Sequence, residues 1–375
     1  MKLATTTLIF CVASLLSLGM VVLYSSSTAQ VGADFLVKQL VWCAVGLVGA
    51  TMAATLDYHH LKKLSLLLLA LAVVLLLLVW VPPIGLKVKG ASRWIGHGGF
   101  RFQPSELAKI ALIIFLAHYG ERYQRQMGTF WRGLVVPGIF IAGILALIFP
   151  EPDRGCTILL ALVSVTMLVI AGARLKFIVP PVLAAATALA FSLWHDPMRM
   201  KRIAAWLHPE DSKEGVGWQA YQAMIALGSG GWTGLGLGNG RQKLGFIPEH
   251  HTDFIFSIIG EELGLIATIA VVVVFILFVI CGIVIASRAR DTFGLLLGSG
   301  ATFLIGFQAF INIGVVTSTL PNKGMPLPFI SYGGSNLLAM LMAVGILLSI
   351  ARQAVEPAAK KSNPFEDEIP SPQLT

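Results

Sequence analysis

Residues 254–286 read FIFSIIGEELGLIATIAVVVVFILFVICGIVIA, with Glu261 and Glu262 as the only charges. A helix that apolar all round belongs in lipid, where about 20 apolar residues suffice to cross the hydrocarbon core. The same pattern recurs along most of the chain. Of 375 residues, 56% are hydrophobic and 12% charged, about half the charged fraction of a soluble domain, so too little polar surface exists to cover an aqueous globule.

The segmentation predicts an all-α polytopic membrane protein with ten spans. They lie at about 5 to 24, 35 to 56, 64 to 81, 105 to 118, 133 to 149, 156 to 171, 176 to 193, 254 to 286, 292 to 317 and 334 to 352. A large connection, about 194 to 253, separates spans seven and eight. The first segment is longer than a signal-peptide core and lacks a small-x-small cleavage site, so it reads as an uncleaved span. Residues 1–352 then form one transmembrane domain. Residues 353–375, polar and Pro-bearing, are expected to be a disordered tail.

Orientation follows from Lys and Arg in short connections. With the N-terminus inside, the inner connections carry thirteen and the outer ones seven, which puts both termini in the cytoplasm. Long connections weigh little in that rule, but the 194–253 segment brings the outer total to thirteen as well. Basic residues near Trp94, Trp218 and Trp232 suit an anionic, lipid-anchored ligand. Attraction to anionic headgroups explains them equally.

Cys11, Cys43, Cys156 and Cys281 form no CxxC pair and have no His or Cys neighbour at metal-ligand spacing, so they read as small packing residues. The glycine run Gly228–Gly238 lacks the GxxxxGK[ST] pattern and any βαβ context, which argues against a nucleotide site. It fits a tight, re-entrant backbone buried in protein or lining a cavity. No nucleic-acid partner is expected.

Several ionisable groups stand where lipid makes them expensive. Asp253, at the start of the long span, reads as a helix cap or as a partly desolvated base. Glu261 and Glu262 lie about two turns further in. Glu106 and Lys109 are i and i+3 on the short fourth span and can pair, either for function or as helix glue. Ser105 is placed to cap that helix behind Pro104, which leaves Arg93 and Arg101 unexplained. Lys323, inside the proline-bounded stretch 320–329, is a cation on a rigid outer loop, as a ligand contact would be.

Six stretches together resemble the SEDS family of lipid-linked glycan polymerases, FtsW, RodA and SpoVE. They are residues 90–95 (GASRWI), 102–109 (FQPSELAK), 151–153 (EPD), 248–256 (PEHHTDFIF), 260–264 (GEELG) and 326–335 (PLPFISYGGS), in the family's order. Residues 24–27 (YSSS), the 260–262 run and the Lys323-Gly324 pair are most similar to the division branch, FtsW. Lys89, His250 and the 154–156 triplet depart from the usual pattern without removing an ionisable group that has a role.

The resemblance implies a peptidoglycan glycosyltransferase that joins lipid II units outside the bacterial cytoplasmic membrane and releases undecaprenyl pyrophosphate. It puts the essential carboxylate at Asp253 and makes Arg93, Arg101, Lys109 and Lys323 candidates for holding the pyrophosphate. With Gln103, Glu106, His251 and Ser331, which lie in the matching stretches, these form the expected substrate-binding set. A class B penicillin-binding protein and other divisome proteins are the implied partners, at the division septum. No metal ligands are indicated, and a lone carboxylate leaves the need for a divalent cation open. Two other functions suit the same spans: a lipid II flippase, or a non-catalytic scaffold for the transpeptidase.

Overall fold

The computed structural model describes residues 1–27, 34–82, 84–88, 91–97, 100–151, 153–207, 215–247 and 251–355. The expected tail lies outside them except for Gln353–Val355, which continue the last helix. Helices occupy all ten expected positions. They are α1 (Lys2–Ser27), α2 (Asp34–Thr55), α3 (His59–Leu78), α4 (Pro104–Arg122), α5 (Val136–Ile148), α6 (Arg154–Ile170), α7 (Leu175–Trp194), α10 (Ile255–Ser287), α11 (Thr292–Val316) and α12 (Gly334–Val355). Among the described residues, eight helices are long and apolar enough to cross a membrane, α5 counting with the π-helical turn Trp131–Val135 that leads into it, 18 residues in all. The other two positions are α6, apolar but only 17 residues long, and α4, whose 19 residues include Glu106, Lys109, Glu121 and Arg122.

Small residues set the tightest packing. α2 runs along α12 and α10 packs on α1 and α11. On α2, Gly46 faces Leu341 and Gly49 faces Met342, while Gly345 on α12 sits against Ala50 and Ala53. Lipid provides no hydrophobic drive between spans, so close backbone approach and dispersion hold such pairs together.

The connections at one end of the bundle hold more structure than composition suggests. The Pro- and Gly-rich connection before α4 contains an antiparallel meander, β1 (Gly85–Val88), β2 (Ala91–His97) and β3 (Phe100–Phe102), with Gly85 opposite Ile95 and Ile95 opposite Phe102. This corrects the all-α expectation locally. Hairpin pairing gives the strand backbone its partners, with Gly85 and Gly96 taken into strands that also bear Val88, Trp94, Ile95 and Phe102. The 195–254 connection contains two further helices, α8 (Pro197–Leu207) and α9 (Trp218–Ser229).

The glycine run following α9 packs into a break in α10. Gly264 has φ 79° and ψ −174°, outside the helical region. Leu235 and Gly236 N–H donate to the carbonyls of Glu261 and Glu262 at 2.9 and 3.0 Å, and Leu265 N–H donates to Gly231 O at 2.9 Å. The carbonyls and amides that the break frees are thereby satisfied. A side chain at Gly264 would collide with Gly234 N and Trp232 O, so glycine is required there for space as well as for φ. The tight backbone is as expected, but burial is confined to the contact with α10: within 228–238 only Gly230 is buried and Gly234 half-buried, and the rest is exposed. Before the break, Ile255 through Glu262 are all buried; after it, Leu265, Ile266 and Ile269 are exposed, as lipid-facing residues are.

Candidate active site

The N-cap residue of α10 is Phe254, one position after Asp253. The segment 251–253 is joined to α11 and to the loop between α11 and α12. Tyr332 N–H donates to His251 O at 3.0 Å, Ser331 Oγ donates to Thr252 O at 2.6 Å, and Asn312 Nδ2 donates to Asp253 O at 2.8 Å. The Asp253 carboxylate lies over Gly324: a Cβ there would come 2.4 Å from Oδ2, so only glycine admits the carboxylate beside Lys323.

That loop is rigid for reasons visible in its sequence. Pro326 and Pro328 remove two donors and fix two φ angles. Ser331 Oγ accepts from Leu327 N–H at 2.7 Å, and Gln39 on α2 grips the loop twice, donating to Ser331 O at 3.1 Å and accepting from Gly333 N–H at 3.2 Å. Phe329 is held at φ 66°, a left-handed conformation that a bulky residue keeps only when its surroundings enforce it. The His251 ring stacks on Phe35 with centroids 4.7 Å apart.

Beneath the loop, Lys109 Nζ and Glu106 Oε2 pair at 2.8 Å, with residue exposures of 2% and 5%. The i, i+3 spacing puts them together, and neighbours complete their bonding. Asn336 Nδ2 donates to Glu106 Oε2 at 3.1 Å, and Lys109 Nζ donates to Gln308 Oε1 at 3.3 Å. Gln308 Nε2 donates to Pro326 O at 2.9 Å and to Asn336 Oδ1 at 3.2 Å, linking the pair to the proline loop.

A second wall comes from the meander and the start of α6. Gln103 N–H donates to Ser335 Oγ at 3.1 Å, and its Nε2 donates to Ser105 Oγ at 3.0 Å and to Asp153 Oδ2 at 3.2 Å. Ser105 therefore does not cap α4: Gln103 occupies the N-cap without a side-chain cap bond, and Pro104 needs none. Asp153 caps α6, accepting from Cys156 N–H at 3.0 Å. Ser335 Oγ donates to Arg101 O at 3.3 Å, leaving the exposed Arg101 guanidinium toward solvent. Burial pushes the Tyr332 phenol up, and the nearby Arg101 charge opposes that shift.

Arg93 reaches a different point of this wall. Its Nε donates to Glu151 O at 2.6 Å. The Glu151 side chain is fully buried with no hydrogen-bond partner on either carboxylate oxygen. Burial, reinforced by Asp153 and opposed by Arg93, pushes its carboxyl up to about 8. A buried carboxyl without a donor stays protonated near neutral pH.

Asp253, His251, Ser331, Gln103, Arg101, Glu106 and Lys109 thus lie in adjoining hydrogen-bonded segments, and Lys323 is next in sequence to the Gly324 that the Asp253 carboxylate overlies. Arg93 adjoins them through Glu151. The hydroxyl of Ser331 and the amide of Gln103 serve backbone and neighbouring side chains. Gln39, Gln308 and Asn312 were not among the sequence candidates, although a lone amide in an apolar span is itself a signal. No group of three or more His, Cys, Asp or Glu among the described residues could hold a metal ion. An apolar groove of about 290 Å³ opens beside Phe256, lined also by Leu227, Gly260, Thr268 and Ile313.

Glu261 and Glu262 belong to a separate cluster around the glycine run. Lys243 Nζ and Glu262 Oε1 pair at 2.6 Å, fully enclosed, and Ser25 Oγ donates to Glu262 Oε2 at 2.6 Å. Glu261 Oε1 accepts from Arg241 and Gln242 N–H at 2.7 and 3.2 Å. These carboxylates fasten the loop to the broken helix.

Comparison with known proteins agrees with this architecture. The family described as cell cycle protein, FtsW/RodA/SpoVE, matches residues 6–356. A probable peptidoglycan glycosyltransferase FtsW of Trichlorobacter lovleyi is 43% identical over 350 residues, 92% of each chain. Stage V sporulation protein E of Bacillus subtilis is 37% identical over 90% of this chain and 94% of its own. Among solved structures, a chain from a peptidoglycan synthase complex that coordinates polymerization and crosslinking superposes with TM-score 0.79 at 26% identity, over 93% of this chain and 98% of that one. The rod shape determining protein RodA of Thermus thermophilus gives 0.70 at 25% identity, over 93% and 97%. The chain is a member of the FtsW/RodA/SpoVE family of multi-span cell cycle proteins.

Proposed function

We propose that the chain is a peptidoglycan glycosyltransferase, of the division branch, that polymerises lipid II at the outer face of the bacterial cytoplasmic membrane, with both termini inside. The observation that carries this reading is the Asp253 carboxylate, which lies over Gly324, the residue after Lys323, on a segment bonded to the proline loop.

In this reading Asp253 takes the proton of an acceptor sugar 4-hydroxyl. The hydroxyl oxygen attacks the anomeric carbon of the donor from the face opposite the pyrophosphate. The bond to pyrophosphate breaks and its electron pair leaves with undecaprenyl pyrophosphate. The α linkage becomes β, and no covalent enzyme intermediate is required. Lys323 and Arg101 stabilise the departing charge, and the buried Lys109 supports the loop from below through Gln308. The groove beside Phe256 suits a prenyl chain entering from lipid. A class B penicillin-binding protein is the expected partner, because the similar solved chain comes from a complex that couples polymerization to crosslinking. Septal placement and contacts with other divisome proteins follow from the same branch reading.

The test is polymerisation of labelled lipid II by the purified protein with its transpeptidase, wild type against Asp253→Ala. Glycan chains from the wild type and none from the folded variant support both the reaction and the base. If neither makes chains while lipid II still crosses vesicle bilayers, the flippase reading replaces it. Unimpaired polymerisation by the variant would remove Asp253 from the chemistry.

A further inference from the structure

Asn312 sits on α11 at 1% exposure, an amide inside an otherwise apolar stretch. Its two amide protons go to two different segments: one to Asp253 O at 2.8 Å, the other to Met325 O at 2.6 Å. Its Oδ1 is buried and accepts no hydrogen bond. An unpartnered buried acceptor is a standing penalty. A leucine would fill the same space without it, so packing does not account for the residue. What Asn312 supplies is the pair of N–H donors.

One turn away on the same helix, Gln308 holds the next loop carbonyl, Pro326 O. Two carboxamides at i and i+4 thus hold consecutive carbonyls of a proline-bounded loop that cannot satisfy itself by regular pairing. Gln308 turns away from there to the Lys109 network, whereas Asn312 also reaches Asp253. It is a single side chain clamping the segment that carries the carboxylate and the loop that carries Lys323.

We infer that Asn312 is a positioning residue for the glycosyl transfer, fixing the Asp253 carboxylate relative to the Lys323 loop without touching substrate. This deepens the proposed polymerase reading and rests on it. Displacing a reacting group by about 1 Å costs roughly 100-fold in rate. Asn312→Leu and the near-isosteric Asn312→Asp, each purified with the transpeptidase partner, are therefore expected to lose about 100-fold in kcat. KM for lipid II should stay within about threefold of wild type, and kcat is taken per folded molecule, because two carbonyls lose their donor and the thermal midpoint falls. A purely structural residue would lower the folded fraction only and leave kcat per folded molecule intact.

Hydrogen–deuterium exchange gives a second readout that does not depend on activity. Faster exchange is expected in 251–254 and 323–327 of Asn312→Leu, with 338–350 unchanged. Wild-type kcat in both variants, or unchanged exchange in both segments, overturns the inference. If the wild type itself makes no glycan, the polymerase reading falls, while exchange still decides whether Asn312 clamps the two segments.

Discussion

Among the described residues, two buried lysine–glutamate pairs have nearly the same geometry, Lys109–Glu106 at 2.8 Å and Lys243–Glu262 at 2.6 Å. They differ in what they join. The first is closed by one turn of α4, so its partners are neighbours before tertiary structure forms, and its hydrogen bonds lead toward the proline loop over Asp253. The second joins residues 19 apart and recruits Ser25, 237 positions from Glu262, so it exists only once α1, the glycine run and α10 have assembled. A local pair can serve as a platform for chemistry; a long-range one serves as a latch. Separating the two requires assays of stability and of rate on the same variants.

The largest expected effect is on the latch. Lys243→Met leaves Glu262 enclosed without its cation, and breaking a buried pair from one side costs about 3–5 kcal/mol. The thermal midpoint should fall accordingly, while folded molecules keep their turnover. The double variant Lys243→Met/Glu262→Leu should recover most of that loss. The corresponding Lys109→Met/Glu106→Leu should recover stability but not polymerisation, and equal recovery of both activities would erase the distinction between platform and latch.

Glu151 shows what either glutamate becomes without a lysine. Its carboxyl is raised from the ordinary 4.5 to about 8, chiefly by burial. The folded protein keeps a proton that the unfolded chain has already released, so this group makes stability decline as pH rises from about 4.5 to 8, by at most a few kcal/mol. Glu151→Gln should flatten that part of a thermal-midpoint profile. A profile that rises through the same window in the wild type alone would show Glu151 to be ionised and paired.

Smaller effects grade the two networks. Asn336→Ala removes a donor to Glu106 and an acceptor for Gln308, with an expected loss of about 1–3 kcal/mol in chemical or thermal unfolding. Ser25→Ala removes a hydroxyl bonded to the Glu262 carboxylate while Lys243 remains, and about 1.5 kcal/mol is expected. If Ser25→Ala proves worse than Lys243→Met, the hydroxyl and not the ion pair is the latch.

The same contrast explains how much could be read beforehand. Helix positions, the Glu106–Lys109 pair and the 251–253 segment follow from apolar run lengths, the i, i+3 rule and a distinctive local stretch, all short-range features. Lys243, Ser25 and Glu262 have no common local pattern, and their meeting is a tertiary event. The meander was hidden because Pro and Gly read as loop when pairing partners are unknown. Ser105 looked like a cap because its residue type fits, yet Gln103 and Pro104 already complete that helix start. Gln39, Gln308 and Asn312 were legible in principle as amides in apolar spans, though not which carbonyls they would hold.

The break at Gly264 also bears on membrane thickness. Unbroken, the 33 residues of α10 would extend about 50 Å, well beyond a hydrocarbon core of about 30 Å. Division leaves Leu265–Ser287, about 34 Å, to cross the lipid, while the enclosed Ile255–Leu263 half-helix travels with the loops that grip it. The break therefore separates two length requirements: the lower half matches the hydrocarbon core, and the upper half, bonded to the glycine run, matches the loops around Asp253.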